Sequence, residues 1–189
     1  LDMPNTSCRM DNLRAAILSR LGEYDTAISI YVTMLAEFPN QPKGWMSYGH
    51  ALKTVGRQAD CVAAYRKALE LTPGLGEAWW SLANLKTVKF DEADRAAMAA
   101  GLEQSSLSDD DRLHLHYALG KALEDAKQYA ESFDHYAKGA AIRRAQVDYD
   151  PEENHADVAR SRAVFTPALL AKTAGQGCAA PDPIFVVGL

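Results

Sequence analysis

The feature that most restricts what this chain can fold into is self-similarity at a spacing of about 34 residues. Ala27 and Cys61, Tyr31 and Tyr65, Pro39 and Pro73, and Trp45 and Trp79 are pairs separated by that interval. A unit of such a length holds two short helices and cannot bury its apolar face alone, so successive units must stack and share a core. The composition agrees, with 48% hydrophobic residues, many of them alanine, and only 8% aromatic. Small residues at recurring places let helices approach closely, and the prolines stop one helix before the next begins.

Trp45, Tyr48, Gly49, Leu52, Cys61, Tyr65, Ala68 and Pro73 stand in an order and spacing that resembles the tetratricopeptide repeat (TPR), W-x2-L-G-x2-Y followed by a small residue, an aromatic, Ala and Pro. The resemblance implies an all-α fold, a right-handed superhelical solenoid of four helix pairs at 8–41, 42–75, 76–112 and 113–147. Ala15, Gly49, Ala83 and Gly120 align as the small residue of each first helix. Tyr31, Tyr65 and Tyr136 align on the second helices, while the third unit is the least regular. Residues 1–7 read as a tail and 148–182 as connecting helices and linker. Ser108 followed by Asp109, Asp110 and Asp111 reads as a helix cap with an acidic first turn rather than a metal site.

The resemblance also implies a concave groove built from the first helix of each repeat, its ligand-facing residues at repeat positions two, five, nine, twelve and thirteen. Carried onto this sequence, the candidate partner-binding residues are Met46, His50, Lys53, Trp80, Asn84, Tyr117 and Lys121. Met46, Trp80 and Tyr117 would make an apolar floor with His50, Asn84 and Lys121 at its edges, suited to an extended peptide or a helix. Trp80 has a second reading as a packing residue, since Trp79 already takes the core position. The Lys, Asn and Arg set with which such arrays grip a chaperone's C-terminal carboxylate is absent. Asn12, Ala16, Ser47, Glu77 and Ser81 stand there instead, so a chaperone tail is disfavoured.

No catalytic or metal-binding constellation emerges within the repeats. His114 and His116 are two apart and point to different sides of a helix. Cys8, Cys61 and Cys178 form no Cys-x-x-Cys pair, which fits a reducing, cytoplasmic setting. A net charge of −5 with scattered Lys and Arg argues against nucleic acid. The longest apolar run, Ile184 to Leu189, is too short to cross a bilayer.

The C-terminal stretch departs from the helical pattern. After the Gly- and Pro-rich residues 175–183, Ile184 to Leu189 reads as a buried strand, the expected first strand of a following α/β domain. Pro183-Ile-Phe-Val-Val-Gly-Leu189 resembles the start of the sulfotransferase cofactor motif, and the preceding linker resembles that of bacterial proteins joining TPR arrays to a sulfotransferase domain. A short apolar strand ending in glycine also opens Walker-type and Rossmann-type loops. The sulfotransferase resemblance implies that 183–189 begin a truncated domain and that the parent polypeptide uses PAPS, with Gly188 the only cofactor-loop residue here. It also implies that this chain alone carries no catalytic residue. The expectations are thus a partner- or substrate-presenting array, a stand-alone interaction scaffold as the alternative, and self-association through an unpaired edge.

Overall fold

The computed structural model describes residues 3–177; the strand expected over 183–189, and Gly188 with it, lies outside the described residues. Ten helices and no strand occur among the described residues. They fall into two units, 1–146 and 147–189. The first unit contains α1 (Met3–Arg20), α2 (Tyr24–Glu37), α3 (Pro42–Thr54), α4 (Gln58–Leu71), α5 (Gly76–Ala83), α6 (Glu92–Leu102), α7 (Asp109–Asp125) and α8 (Tyr129–Gln146). The second contains α9 (Pro151–Val164), begun by the Asp150 cap and Pro151, and α10 (Pro167–Thr173), begun by Thr166 and Pro167. α1 starts ahead of the Cys8 boundary expected for the first repeat.

Most helices of the first unit stack on the one before, α6 on α5 being the exception. α1 packs on α2, α2 on α3, α3 on α4, α4 on α5 and α7 on α8. The small residues act where close approach is needed: a Cβ at Gly49 would lie 2.5 Å from Tyr65 Cε1, and one at Gly120 would lie 3.0 Å from the Tyr136 ring. Ala27, Cys61 and Ser132 are buried opposite them, and Tyr31 and Tyr65 fill the seams with almost no exposure. The prolines do more than end helices. The Trp45 indole N–H donates to the Pro39 carbonyl (2.8 Å), and the Trp79 indole repeats this with Pro73 (2.9 Å). Each tryptophan thereby ties the end of one unit to the start of the next.

The turns show where the third unit departs. Gly22 and Gly56 take left-handed backbone (φ 85° and 78°) after α1 and α3, and the aligned residue after α7 is Lys127 (φ 62°). In the third unit the aligned position is Phe90, yet the left-handed residue is Lys86 (φ 61°), one helical turn earlier. α5 therefore stops at Ala83 and a connection runs from there to Asp91, whose side chain opens α6 through a reciprocal capping box with Asp94. α4 holds that connection in place. Arg66 forms a two-pronged ion pair with Asp94 (Nη2–Oδ2 2.8 Å) and lies 5.7 and 5.8 Å from the Trp79 and Phe90 ring centres, while Gln58 bonds Thr87.

Shortened α5 packs mainly on α7, and so does α6. Glycines again set the approach. The Gly76 N–H donates to Asp111 Oδ1 (2.9 Å), and a Cβ on Gly76 would lie 2.2 Å from the Asp111 carbonyl oxygen. Ser108 caps α7 through the Asp111 N–H (3.1 Å), with Asp109, Asp110 and Asp111 in its first turn. The acidic run is a cap with a favourable charge at the positive end of the helix.

Candidate functional site

Successive first helices and the second helix between them leave a cleft of about 510 Å³ between the first two repeats. Its wall carries Ala16, Ser19 and Arg20 from α1, Tyr24 and Tyr31 from α2, and Ser47, His50, Ala51 and Thr54 from α3. Repeat positions two, five, nine, twelve and thirteen of the first two repeats are Arg9, Asn12, Ala16, Ser19, Arg20, Lys43, Met46, His50, Lys53 and Thr54, and of these Ala16, Ser19, Arg20, His50 and Thr54 line this cleft. Some polar groups here are already engaged by the fold. Ser19 and Thr54 donate to the Ala15 and His50 carbonyls (2.9 and 3.0 Å), and Ser47 hydrogen-bonds the Tyr31 phenol, whose pKa burial raises. Asn12 Oδ1, one turn further along α1, is buried without a hydrogen-bond partner.

His50 links two units. Its Nδ1 lies 2.7 Å from the Tyr65 hydroxyl and its Nε2 lies 3.6 Å from Glu77 Oε1. The bond to His50 holds the Glu77 carboxyl below the usual carboxylate range, against the opposing effect of its burial. Burial pushes the Tyr65 phenol well above its ordinary value, so the hydroxyl stays protonated and polar. Tyr65, His50 and Glu77 form a side-chain chain running from α4 through α3 to α5.

The other expected groove residues gather further along. The Trp80 and Tyr117 rings lie 5.6 Å apart between centres, and both are half-buried. Tyr117 also sits 6.2 Å from the Tyr136 ring. Met46 is buried, at 8% exposure, so its side chain packs into the core instead of offering a surface. Lys53 is exposed. Asn84 is the C-cap of α5, because that helix ends before the position is reached. Lys121 pairs with Asp125 (2.5 Å), which Lys89 also approaches (3.1 Å), and these partners hold the Asp125 carboxyl low. Of the seven residues, His50 lines the cleft and Trp80 and Tyr117 form the ring pair, while Met46 is in the core, Asn84 ends α5, Lys121 is ion-paired and Lys53 is exposed outside the cleft lining.

One group went unread in the sequence. His116 and His135 face each other across α7 and α8 with their Nδ1 atoms 2.9 Å apart, and His116 is only 9% exposed. Nineteen residues separate them, and only the angle between the two helices brings them together. Cys8 and Cys61 are buried free thiols whose pKa values burial raises. Among the described residues, no group of three or more His, Cys, Asp or Glu could hold a metal ion, and no helix is long and apolar enough to cross a membrane.

Comparison with known proteins supports the repeat reading directly. The tetratricopeptide repeat family profile matches residues 42–74. A protein of Aquifex aeolicus (strain VF5), described as uncharacterized, is 22% identical over 140 residues, covering 74% of this chain and 18% of its own length. Small glutamine-rich tetratricopeptide repeat-containing protein 2 of Mycosarcoma maydis is 36% identical over 70 residues, covering 37% of this chain and 20% of its own length. The chain therefore spans about a fifth of the length of the curated relatives it matches. Among solved structures, the MamA protein superposes with a TM-score of 0.55 at 18% identity, over 74% of this chain and 75% of its own. BtubC (BKLC) from P. vanneervenii does so with a TM-score of 0.57 at 16% identity, over 80% and 68%. These likenesses are of fold. The chain carries a tetratricopeptide repeat at 42–74, and its helical-repeat fold is similar to those of MamA and BtubC.

Proposed function

We propose that the cleft side of the array holds an extended or helical segment of a protein partner or substrate. The observation that carries this is the shared wall of α1 and α3, where Ala16, Ser19, Arg20, His50 and Thr54 surround about 510 Å³ of open cleft. Further along the same series of first helices, the half-buried Trp80–Tyr117 pair offers aromatic surface of the kind that anchors binding. Lys53 and Arg20 supply exposed positive charge near the cleft, which suits a segment carrying acidic side chains. Replacing Trp80 with Ala weakens a bound segment by about tenfold or more, while helical circular dichroism is retained. Unchanged affinity in a folded Trp80→Ala protein removes the ring pair from the site.

The parent polypeptide, in the same proposal, is a PAPS-dependent sulfotransferase to which this array presents the acceptor. Its support is the resemblance of Pro183 to Leu189 and the preceding linker to the opening of that cofactor motif. A cytoplasmic setting accords with the two buried free thiols. Calorimetry with PAPS on the parent polypeptide tests the assignment, micromolar binding being expected. Absence of binding there, or a Gly-Lys-Ser/Thr sequence closing the loop after Leu189, overturns it in favour of the scaffold alone or a nucleotide-binding loop.

A further inference from the structure

Both ends of the eight-helix unit expose apolar stripes where the interior of the same array buries them. Met10, Leu13 and Ile17 on α1 and Leu21 just after it are 51–71% exposed and follow one another at helical spacing. Because Ala15, Gly49, Ala83 and Gly120 align, Met10 corresponds to Gly44, Ala78 and Leu115, all of which are buried. Leu13 corresponds likewise to Ser47, Ser81 and Ala118, and Ile17 to Ala51, Leu85 and Ala122, each of them buried or half-buried. In α3 that face is covered by α2, the helix preceding it.

The stripe on α8 is the other half of the same contact. Tyr31, Tyr65 and Tyr136 align, so Phe133 corresponds to Ile28 and Val62, and Ala140 to Leu35 and Leu69. Ile28, Leu35 and Leu69 are buried and Val62 is half-buried, whereas Phe133 is 71% exposed and Tyr129, on the same face, 65%. Exposed faces of a stacked array are ordinarily polar, and these two are apolar.

We propose that a second copy of this chain docks its α8 face on the α1 face, head to tail, continuing the array in the register that α2 uses on α3. The side-chain sizes fit that register. Within the chain, small Gly44 lies under large Met34 and Leu35, at 3.0 and 3.2 Å from its would-be Cβ. Between copies, large Met10 takes the place of Gly44, and Gly139 and Ala140 take the places of Met34 and Leu35. The large side chain changes sides, so Met10 enters the space that the small Gly139 and Ala140 leave. Where Tyr31 meets Tyr48 at 6.1 Å between ring centres, Tyr136 of one copy would meet Arg14 of the next, a phenol against a guanidinium plane. Such a contact joins different faces, so it does not close on itself and builds open chains of copies.

The test uses the intact chain in sedimentation equilibrium over a dilution series, with Ile17→Asp on one face and Phe133→Asp on the other. Both residues are exposed, so the helical circular dichroism of each variant should match the unaltered chain. The unaltered chain is expected to gain mass with concentration without a plateau. Each variant alone should stay monomeric, and an equal mixture of the two should give a dimer that grows no further. An unaltered chain that stays monomeric at every concentration, as when its own 147–189 segment or another protein covers α8, overturns the proposal. So does dimerisation of either variant by itself, which would mean like faces pairing.

Discussion

The His116–His135 contact makes a quantitative prediction about acid. With Nδ1 atoms 2.9 Å apart, one ring donates and the other accepts, which requires the accepting ring to be neutral. Protonation of the accepting nitrogen leaves two N–H groups facing each other, and protonation of both rings sets two positive charges side by side. Burial first, then His135, Lys138 and Arg112, lower the His116 pKa to about 4, and burial with Lys138 lowers that of His135 against the opposing charge of Asp134. The unfolded chain binds these protons near pH 6.5, so the stability of the neutral pair is complete above that value and is lost as pH falls towards the folded value. For His116, the drop from 6.5 to about 4 corresponds to roughly 3 to 4 kcal/mol in all, of which about 2 kcal/mol is gone at about pH 5. The carboxylates with lowered pKa values, Glu77 and Asp125, lose their contribution only below the ordinary carboxylate range, so the window from about pH 7 to pH 5 isolates the histidines. Urea unfolding followed by circular dichroism should show the midpoint falling by about 1 M across that window. In His116→Asn, which can still bond His135 but does not titrate, most of that fall should vanish. An unaltered midpoint between the two pH values, or an equal fall in His116→Asn, refutes the reasoning.

Other substitutions follow from particular contacts. Gly76→Ala sets a methyl against the Asp111 main chain, which cannot rotate away, and should cost about 2–3 kcal/mol in urea unfolding. Gly44→Ala meets the flexible end of Met34 and gains helix propensity, so its effect should stay within about 1 kcal/mol. Lys127→Gly relieves a left-handed residue where Gly22 and Gly56 stand in the aligned turns, and should raise stability by about 1 kcal/mol. Trp79→Phe removes the indole donor to Pro73 and weakens the contact with Arg66, which should lower stability by about 1–2 kcal/mol.

The parts of the fold that the sequence made legible are those set by local spacing. Tyr31 and Tyr65 at a fixed interval, glycine or alanine one turn from the middle of each first helix, and Ser108 before three acids each specify a local structure on their own. The early end of α5 was not legible, since Lys86 is left-handed only because Arg66 and Gln58 on α4 hold the following connection. That shift moved Asn84 from a groove-facing turn to a helix end. Met46 also followed the repeat position on paper, yet its long side chain turns into the core. His116 and His135 needed the crossing of α7 and α8 to meet, and nothing in their separation along the chain signals it. In the cleft, by contrast, five of the expected positions came together because α1 and α3 are regular helices in the expected register.

Chemical-shift mapping with a bound segment tests the central claim most directly. A peptide selected from an arrayed library is titrated into the isotopically labelled chain, and backbone amide shifts are followed. The account predicts the largest changes at Ala16, Ser19, His50 and Thr54, extending to Trp80 and Tyr117, with little change along the outer faces of α4 and α6. Changes concentrated on those outer faces, with Ser19, His50 and Trp80 undisturbed, would contradict it.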